Sequence, residues 1–268
     1  MIKKSILRPT VVVASLFFCL AIFDSAANTN KTLRYSSSAQ VREAFGNEGL
    51  NAFAEATGIE IDLFVGSSAS ALHRLMNGFS DIASTVERLH GRHLQYGYME
   101  IPFCKAPLIV ITNVKTPVKN ISVTQLREVF SGTITSWRAL GGPDTSIIVV
   151  SPGKHTGAFK NFRELALKRS DIKYDYMAYR STDVVKLVKR IPWSISFISQ
   201  GAHTVNEAIK IIRVDGLSPE DTNYPYFQTF SFVIKGKPCC EAEKFIDFAF
   251  SEEGKKIIKK NGMTPIPR

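Results

Sequence analysis

The sequence predicts an α/β protein with an open, mostly parallel sheet. Strand-like and helix-like segments alternate along most of the 268 residues, and hydroxyl-rich loops follow three successive strand candidates. Hydrophobic residues make up 44 % of the chain and charged residues 22 %. This composition is typical of a globular protein, and it excludes a wholly disordered chain and a multi-span membrane protein.

The first half of the chain fits a β-α-β-α-β order. Apolar alternation predicts the strands, and helical periodicity ended by Gly58 and Gly78 predicts the helices between them. The strands are at 33–35, 59–65 and 82–83, and the helices are at 40–57 and 70–77.

The second half continues this alternation. An apolar run at 107–112 predicts a central strand, and the polar segment 113–120 after it predicts a crossing to a second lobe. Further helices are predicted at 124–130, 158–168, 182–190, 241–250 and 252–260, and further strands at 147–150, 194–198 and near 224–234.

The first 27 residues are typical of a secretory signal. Three basic residues lie within the first eight positions, residues 10–23 are nearly all apolar, and small residues at 25–27 suit cleavage. We therefore expect a periplasmic protein whose mature chain begins near Asn28. The alternative is an uncleaved membrane anchor, although the apolar run is shorter than the roughly 20 residues that a spanning helix needs.

The chain is basic. Its formal net charge is +10, and removal of three basic residues and one acidic residue with the signal leaves +8. Such a charge suits an anionic ligand, an anionic surface or a nucleic acid. Aromatic residues are not interleaved with the basic ones as on a nucleic-acid platform, so we expect no nucleic-acid partner.

The mature chain contains an odd number of cysteines, Cys104, Cys239 and Cys240. In an oxidising compartment, either Cys104 pairs with one of the other two or the thiols stay free. The adjacent cysteines have no second ligand pair at zinc spacing, and a solvated pair is favoured over a metal site for His90 and His93. We therefore predict no metal and no cofactor.

Small hydroxyl residues cluster where predicted strands lead into helices. The clusters are Ser36, Ser37 and Ser38 after the first strand, Ser67 and Ser68 after the second, and Ser84 and Thr85 after the third. The ends of neighbouring parallel strands meet at one sheet edge, where helix N-termini present free N–H groups that bind anions. Ordinary N-capping is the alternative, but three clusters at successive junctions favour an anion site.

A fourth candidate loop, residues 151–157, lies between a strand and a helix of the second half. Gly157 permits close approach of a ligand to the backbone, Thr156 can donate a hydrogen bond, and Lys154 can supply positive charge. The loop lacks the spacing of a nucleotide-binding loop, and the sequence has no GxSxG or HExxH motif. We therefore do not predict an enzyme.

Four segments resemble a known family. Residues 130–137, FSGTITSW, followed by GGPD at 141–144, closely resemble a signature of the phosphate-binding proteins of ABC importers. Residues 76–83 and the segment 245–254 are also similar to that family. The likeness runs in order along nearly the whole mature chain.

The resemblance implies a periplasmic-binding-protein-like fold of type II, in which two α/β lobes are joined by two crossing strands with the ligand cleft between them. It implies one lobe at 28–112 plus 225–268 and the other at 113–224. Carried over residue by residue, the family's ligand loops fall on Ser36, Ser37 and Ser38, on Ser67 and Ser68, and on His155, Thr156 and Gly157.

The match departs from the family at two places. The aspartate with which phosphate-specific members accept a proton from the ligand matches Val86, and the arginine of their later loop matches Ser151. A carboxylate acceptor is what makes such a site demand a protonated oxyanion. The sequence therefore leaves open which oxyanion is bound.

We expect an exported, monomeric solute-binding protein that captures phosphate or a related small oxyanion and passes it to an ABC permease of the inner membrane. The alternative is a divergent family member, with an altered or lost anion site, that acts as an envelope sensing or interaction protein. A third hypothesis is a hydrolase built on the same fold.

Overall fold

The computed structural model describes residues 31–179, 181–200 and 209–268. The predicted secretory signal at 1–27 lies outside the described residues. Among the helices that are described, none is both long enough and apolar enough to cross a membrane.

Strands and helices alternate, which confirms the predicted α/β class. The described strands, in chain order, are β1 Lys31–Ser38, β2 Ile59–Gly66, β3 Ile82–Thr85, β4 Tyr98–Asn113, β5 Asn120–Ile121, β6 Ile148–Pro152, β7 Tyr176–Ala178, β8 Ser194–Ser199, β9 Ile209–Val214, β10 Phe227–Lys235 and β11 Thr264–Pro265. The described α-helices are α1 Ala39–Thr57, α2 Ser68–Met76, α3 Gly91–Gln95, α4 Val123–Ser131, α5 Gly157–Leu165, α6 Ser181–Arg190, α7 Cys240–Phe250 and α8 Glu252–Lys260.

The first three strands form a parallel unit in the order β2-β1-β3. α1 connects β1 to β2, and it ends where Gly58 adopts a left-handed conformation with φ of 67°. α2 connects β2 to the turn before β3. The β-α-β-α-β order predicted for this part of the chain is confirmed.

β4 changes partner along its length. Residues 98–107 pair antiparallel with β10, and the strand pairs antiparallel with β8 from Leu108 and with β9 from Val110. We call β1, β2, β3, β10 and residues 98–107 the first half-sheet, and β6, β7, β8, β9 and residues 108–113 the second half-sheet. The prediction of a mostly parallel sheet is wrong, because β4 and β10 join the parallel parts of the two half-sheets through antiparallel pairs.

Each half-sheet buries apolar side chains of its own. On the first, Phe103 stacks on Phe232 with ring centroids 4.1 Å apart. On the second, Phe162 of α5 stacks on Phe197 of β8 with centroids 3.9 Å apart. A substitution of any of these rings by alanine is expected to cost about 3–5 kcal/mol of stability.

The three cysteines of the described residues are free thiols, so the disulfide considered from the sequence is wrong and the free-thiol alternative is confirmed. Cys104 lies on β4 inside the first core, whereas Cys239 and Cys240 are exposed at the start of α7. Burial raises the pKa of the Cys104 thiol well above its usual value. The buried thiol is therefore a small apolar side chain of the core.

Candidate functional site

The carboxyl ends of β1, β2 and β3 meet at one edge of the first half-sheet. Ser38 lies beside Gly66 of β2, and Ser37 lies beside Ser84 of β3. This register aligns the ends of all three strands and therefore brings together the loops that follow them. The sequence predicted this meeting of the hydroxyl-rich junctions.

Three helices begin with a hydroxyl N-cap at the predicted loops. The Ser38 Oγ accepts from the N–H of Val41 at the start of α1, at 3.4 Å. Ser67 caps α2 in a capping box with Ser70, and the Thr156 Oγ1 accepts from an N–H of α5. Ser38 and Ser67 therefore are N-caps, as the capping alternative has it, and Thr156 caps α5 in the same way, which leaves other first-turn N–H groups available.

These helix N-termini are not neutralised by their own side chains. In the described chain, none of the first turns of α1, α2 and α5 contains an acidic residue. The first turns of α3 and α4 likewise contain none, whereas those of α6, α7 and α8 each contain at least one. The partial positive charge of the helix N-terminus is therefore uncompensated at the predicted loops, where it favours an anion.

The N-terminus of α5 packs against the first half-sheet. A Cβ atom on Gly157 would overlap Cγ2 of Val86 and would lie 2.5 Å from Oε1 of Gln40. Val86 follows β3, and Gln40 is the second residue of α1. We call this meeting of Gly157, Val86 and Gln40 the Gly157 contact, and only glycine fits there without displacing its neighbours.

Polar bridges beside the Gly157 contact also join the two half-sheets. The Lys160 Nζ lies 2.8 Å from Oε1 of Glu87. The Asn161 Nδ2 donates to the backbone oxygen of Val86 at 2.9 Å. Both donors are on α5, so this helix bonds directly to the segment that follows β3.

Ser68 belongs to the same cluster. Its Oγ accepts from the N–H of Val86 at 3.3 Å, and its side chain is buried. The hydroxyl hydrogens of Ser68 and Ser38 are not needed for these accepted bonds, so each can donate to a ligand. Ser38, Ser68 and Gly157 are therefore the predicted site residues that the fold brings together most directly.

Ser36 and Ser37 instead have partners inside the first half-sheet. Successive side chains of a strand point to opposite faces. The Ser36 Oγ bonds to Ser80 and accepts from Nε of Arg74 at 3.2 Å, whereas the Ser37 Oγ lies 2.9 Å from that of Ser84. The two side chains therefore do not face one ligand together.

Thr85, Lys154 and His155 also have contacts of their own. The Thr85 Oγ1 donates to the Glu87 backbone oxygen at 3.1 Å and accepts from the Glu87 N–H at 2.9 Å. The exposed Lys154 has its Nζ 5.9 Å from the Tyr174 ring centroid, and the exposed His155 has its ring 4.4 Å from that of Tyr179. Ligand contact by these three side chains stays a prediction.

A surface cavity of about 430 Å³ lies along α5. Its lining is mostly basic and consists of Lys154, Phe159, Lys160, Arg163, Glu164 and Arg169.

Within the described residues, no group of three or more histidine, cysteine or acidic side chains could hold a metal ion. The rings of His90 and His93 lie 5.7 Å apart.

Sequence reasoning missed Gln40. Its Nε2 is buried and has no hydrogen-bond partner among the described residues. The available signal was its position, two residues after the N-cap Ser38 and so within the first turn of α1. A polar side chain in this first turn can donate to the same anion as the free backbone N–H groups of the helix N-terminus.

The sequence model of the PBP superfamily domain matches residues 24–253. The chain belongs to the PBP superfamily. The phosphate-binding protein PstS of Borreliella burgdorferi is 23 % identical over 215 residues, which cover 74 % of this chain and 77 % of that protein.

Solved structures of the superfamily agree with the fold. A Clostridium perfringens protein with bound phosphate, assigned to the substrate-binding proteins of phosphate ABC transporters, has a TM-score of 0.79 and 26 % identity, and covers 88 % of this chain and 100 % of its own. An ABC-type phosphate transport receptor from Vibrio cholerae has a TM-score of 0.74 and 24 % identity, with the same two coverages. These likenesses confirm the predicted periplasmic-binding-protein-like fold.

Proposed function

We propose that this protein is an exported solute-binding protein that captures phosphate or a related small oxyanion in a cleft between two lobes and delivers it to an ABC permease. The observation that carries the proposal is the meeting of the acid-free N-termini of α1 and α5 at the Gly157 contact. Two positive dipole ends repel each other, and an anion between them removes that repulsion. The phosphate bound to the Clostridium perfringens protein supports this ligand class.

We propose one lobe at 28–112 plus 225–268 and the other at 113–224, with the crossings in β4 and near the start of β10. The two separate cores support a division into two lobes, and Leu108 and Val110 pack in the second core, which favours a first crossing nearer to residue 107 than to residue 112. The change of partner of β4 between Pro107 and Leu108 supports a crossing in that strand. The bridges from Lys160 and Asn161 then hold the lobes together when the cleft is closed.

The donors at the cleft are sufficient for useful affinity. A micromolar dissociation constant corresponds to about −8 kcal/mol, and each hydrogen bond to a charged ligand contributes roughly 1.5–3 kcal/mol. First-turn N–H groups of α1 and α5 and the hydroxyls of Ser38 and Ser68 provide several such bonds. Four such bonds contribute roughly 6–12 kcal/mol, a range that includes the required free energy before the cost of lobe closure.

The experiment is a thermal-melt screen of the mature protein with phosphate, sulfate, arsenate and molybdate. An anion at about 1,000 times its dissociation constant stabilises by roughly 4 kcal/mol, so the melting temperature rises by several degrees. Gly157→Ala is expected to abolish the rise, because its Cβ meets Val86 and Gln40 and prevents closure.

Gly91→Ala is the matched control. Gly91 begins α3, and a Cβ there meets no atom within 4 Å, so this variant keeps the full anion-induced rise. The absence of a rise with every oxyanion in the native sequence contradicts the proposed transport function.

The second candidate is a divergent member whose anion site is lost and which acts as a sensing or interaction protein. It is favoured by Val86, which holds the position of the family's aspartate, is buried, and packs against Gly157. If no oxyanion in the screen raises the melting temperature, the result supports this candidate, and a protein partner should be sought.

A further inference from the structure

The side-chain amide of Gln40 is the most informative polar group that the predicted site did not include. Its Nε2 is buried without a hydrogen-bond partner among the described residues, and its Oε1 lies against Gly157. Buried donors in folded proteins nearly always have a partner, so an unpaired one calls for an explanation. Its location, at the contact between the N-termini of α1 and α5, supplies one.

The neighbours of Gln40 explain why the protein does not satisfy this donor itself. The adjacent Val86 side chain is apolar, and Gly157 has no side chain. Neither of these two residues has a side chain that can accept a hydrogen bond from Nε2.

We propose that Gln40 is a ligand-binding residue whose Nε2 donates to an oxygen of a small tetrahedral oxyanion held in the cleft. The inference rests on the proposed function and adds to it a residue that contacts both the ligand and Gly157. Because Oε1 touches the second lobe at Gly157 while Nε2 reaches the ligand, the amide couples occupancy to closure. The chemical class is an oxyanion with several acceptor oxygens, such as phosphate or sulfate.

The test compares Gln40→Met with the native sequence in isothermal titrations with inorganic phosphate and with sodium sulfate. Methionine keeps the length of the side chain and removes the donor. We expect the affinity for the bound oxyanion to fall by about 10- to 100-fold, the loss that accompanies a missing hydrogen bond to a charged group. Gln95→Met, at an exposed position of α3, is the control and keeps native affinity.

A second readout separates ligand binding from a structural role. Removal of a buried donor without a partner leaves the stability of the ligand-free protein unchanged or higher. Lower affinity with undiminished ligand-free stability supports the inference. Native affinity in Gln40→Met, or a marked loss of ligand-free stability, overturns it while the proposed function stands. If the native protein binds neither phosphate nor sulfate nor any other oxyanion, the proposed function fails and this inference fails with it.

Discussion

Val86 follows the last residue of β3, and its side chain is only 4 % exposed. Its N–H donates to Ser68, its carbonyl accepts from Asn161, and its Cγ2 packs on Gly157. A carboxylate at this position could accept a proton from a protonated oxyanion and would repel a fully ionised one. The apolar residue is therefore expected to leave the site without that discrimination.

Val86→Asp should introduce this discrimination. We expect the ratio of phosphate to sulfate affinity to rise by about 10-fold or more, because only phosphate carries a proton that the new carboxylate can accept. The ligand-free protein should lose about 1–3 kcal/mol, since a charged group is buried without a full set of partners. Calorimetric titration with both anions and urea unfolding measure these two effects.

Val86→Asn is the control for this change, because it has the same shape as aspartate but no charge. It should leave the phosphate-to-sulfate ratio close to that of the native sequence. If the ratios are equal in all three proteins, the residue after β3 does not decide selectivity.

At the scale of elements, β1 and β3 are held in register by Arg34 and Asp81. The Arg34 N–H and Nε both donate to Oδ2 of Asp81, at 2.9 and 3.2 Å, and its Nη2 lies 2.5 Å from Oδ1. Burial raises the pKa of Asp81, but the hydrogen bonds and charge of Arg34 outweigh burial and the net pKa is lowered. The pair therefore helps to align the strand ends that carry Ser38 and Val86.

Asp81→Asn should reveal the pH dependence of this link. A lowered folded-state pKa means that the pair stabilises above the unfolded-state pKa of about 3.9 and that this contribution is lost as the pH falls through the folded-state value. We expect Asp81→Asn to be less stable than the native protein by about 1 kcal/mol at pH 7, a difference that shrinks below about pH 4. Urea unfolding between pH 3 and pH 7 measures it.

The exposed ion pair between Arg138 and Asp144 is the comparison. Asp144→Asn should change stability little at any pH, because both side chains are about three-quarters exposed. If the difference in free energy of unfolding between Asp81→Asn and the native protein stays constant with pH, the ionisation of Asp81 does not contribute to stability.

At the scale of the whole molecule, the proposed closure of the cleft depends on contacts that α5 makes with the segment after β3 and with β10. Lys160 pairs with Glu87, and Asn161 bonds both to the carbonyl of Val86 and to Oε1 of Gln228. None of these groups is needed to bind the oxyanion directly. Their effect on affinity would pass through the population of the closed form.

Lys160→Met is expected to weaken phosphate binding by about two- to fivefold, the range of one exposed ion pair. Arg169→Met is the matched control, because Arg169 lines the same cavity but pairs with Glu164, also on the second half-sheet side. Titration calorimetry gives the affinities, and X-ray scattering of the ligand-free proteins should report a larger radius of gyration for Lys160→Met than for the native sequence. Equal losses in both variants would assign the effect to charge alone and not to closure.

The sequence by itself determined the features that depend on neighbouring residues. Hydrophobic periodicity located most strands and helices, Gly58 marked the end of α1, and the predicted helix at 252–260 coincides with α8. Hydroxyl residues at successive strand ends marked Ser38 and Ser67, because an N-cap is a local interaction. The FSGTITSW segment indicated the family without any knowledge of the fold.

Only the tertiary structure decided the features that depend on contacts distant in sequence. β4 begins at Tyr98 and not at 107, because antiparallel pairing with β10 extends a half-exposed segment whose own pattern is weak. Cys104 is buried whereas Cys239 and Cys240 are exposed, and the neighbouring Ser36 and Ser37 of β1 bond to Arg74 of α2 and to Ser84 of β3 respectively. The buried Nε2 of Gln40 could be recognised as a candidate ligand donor only in the folded protein, where α5 places Gly157 against this side chain, since no local pattern specifies which helix N-termini meet.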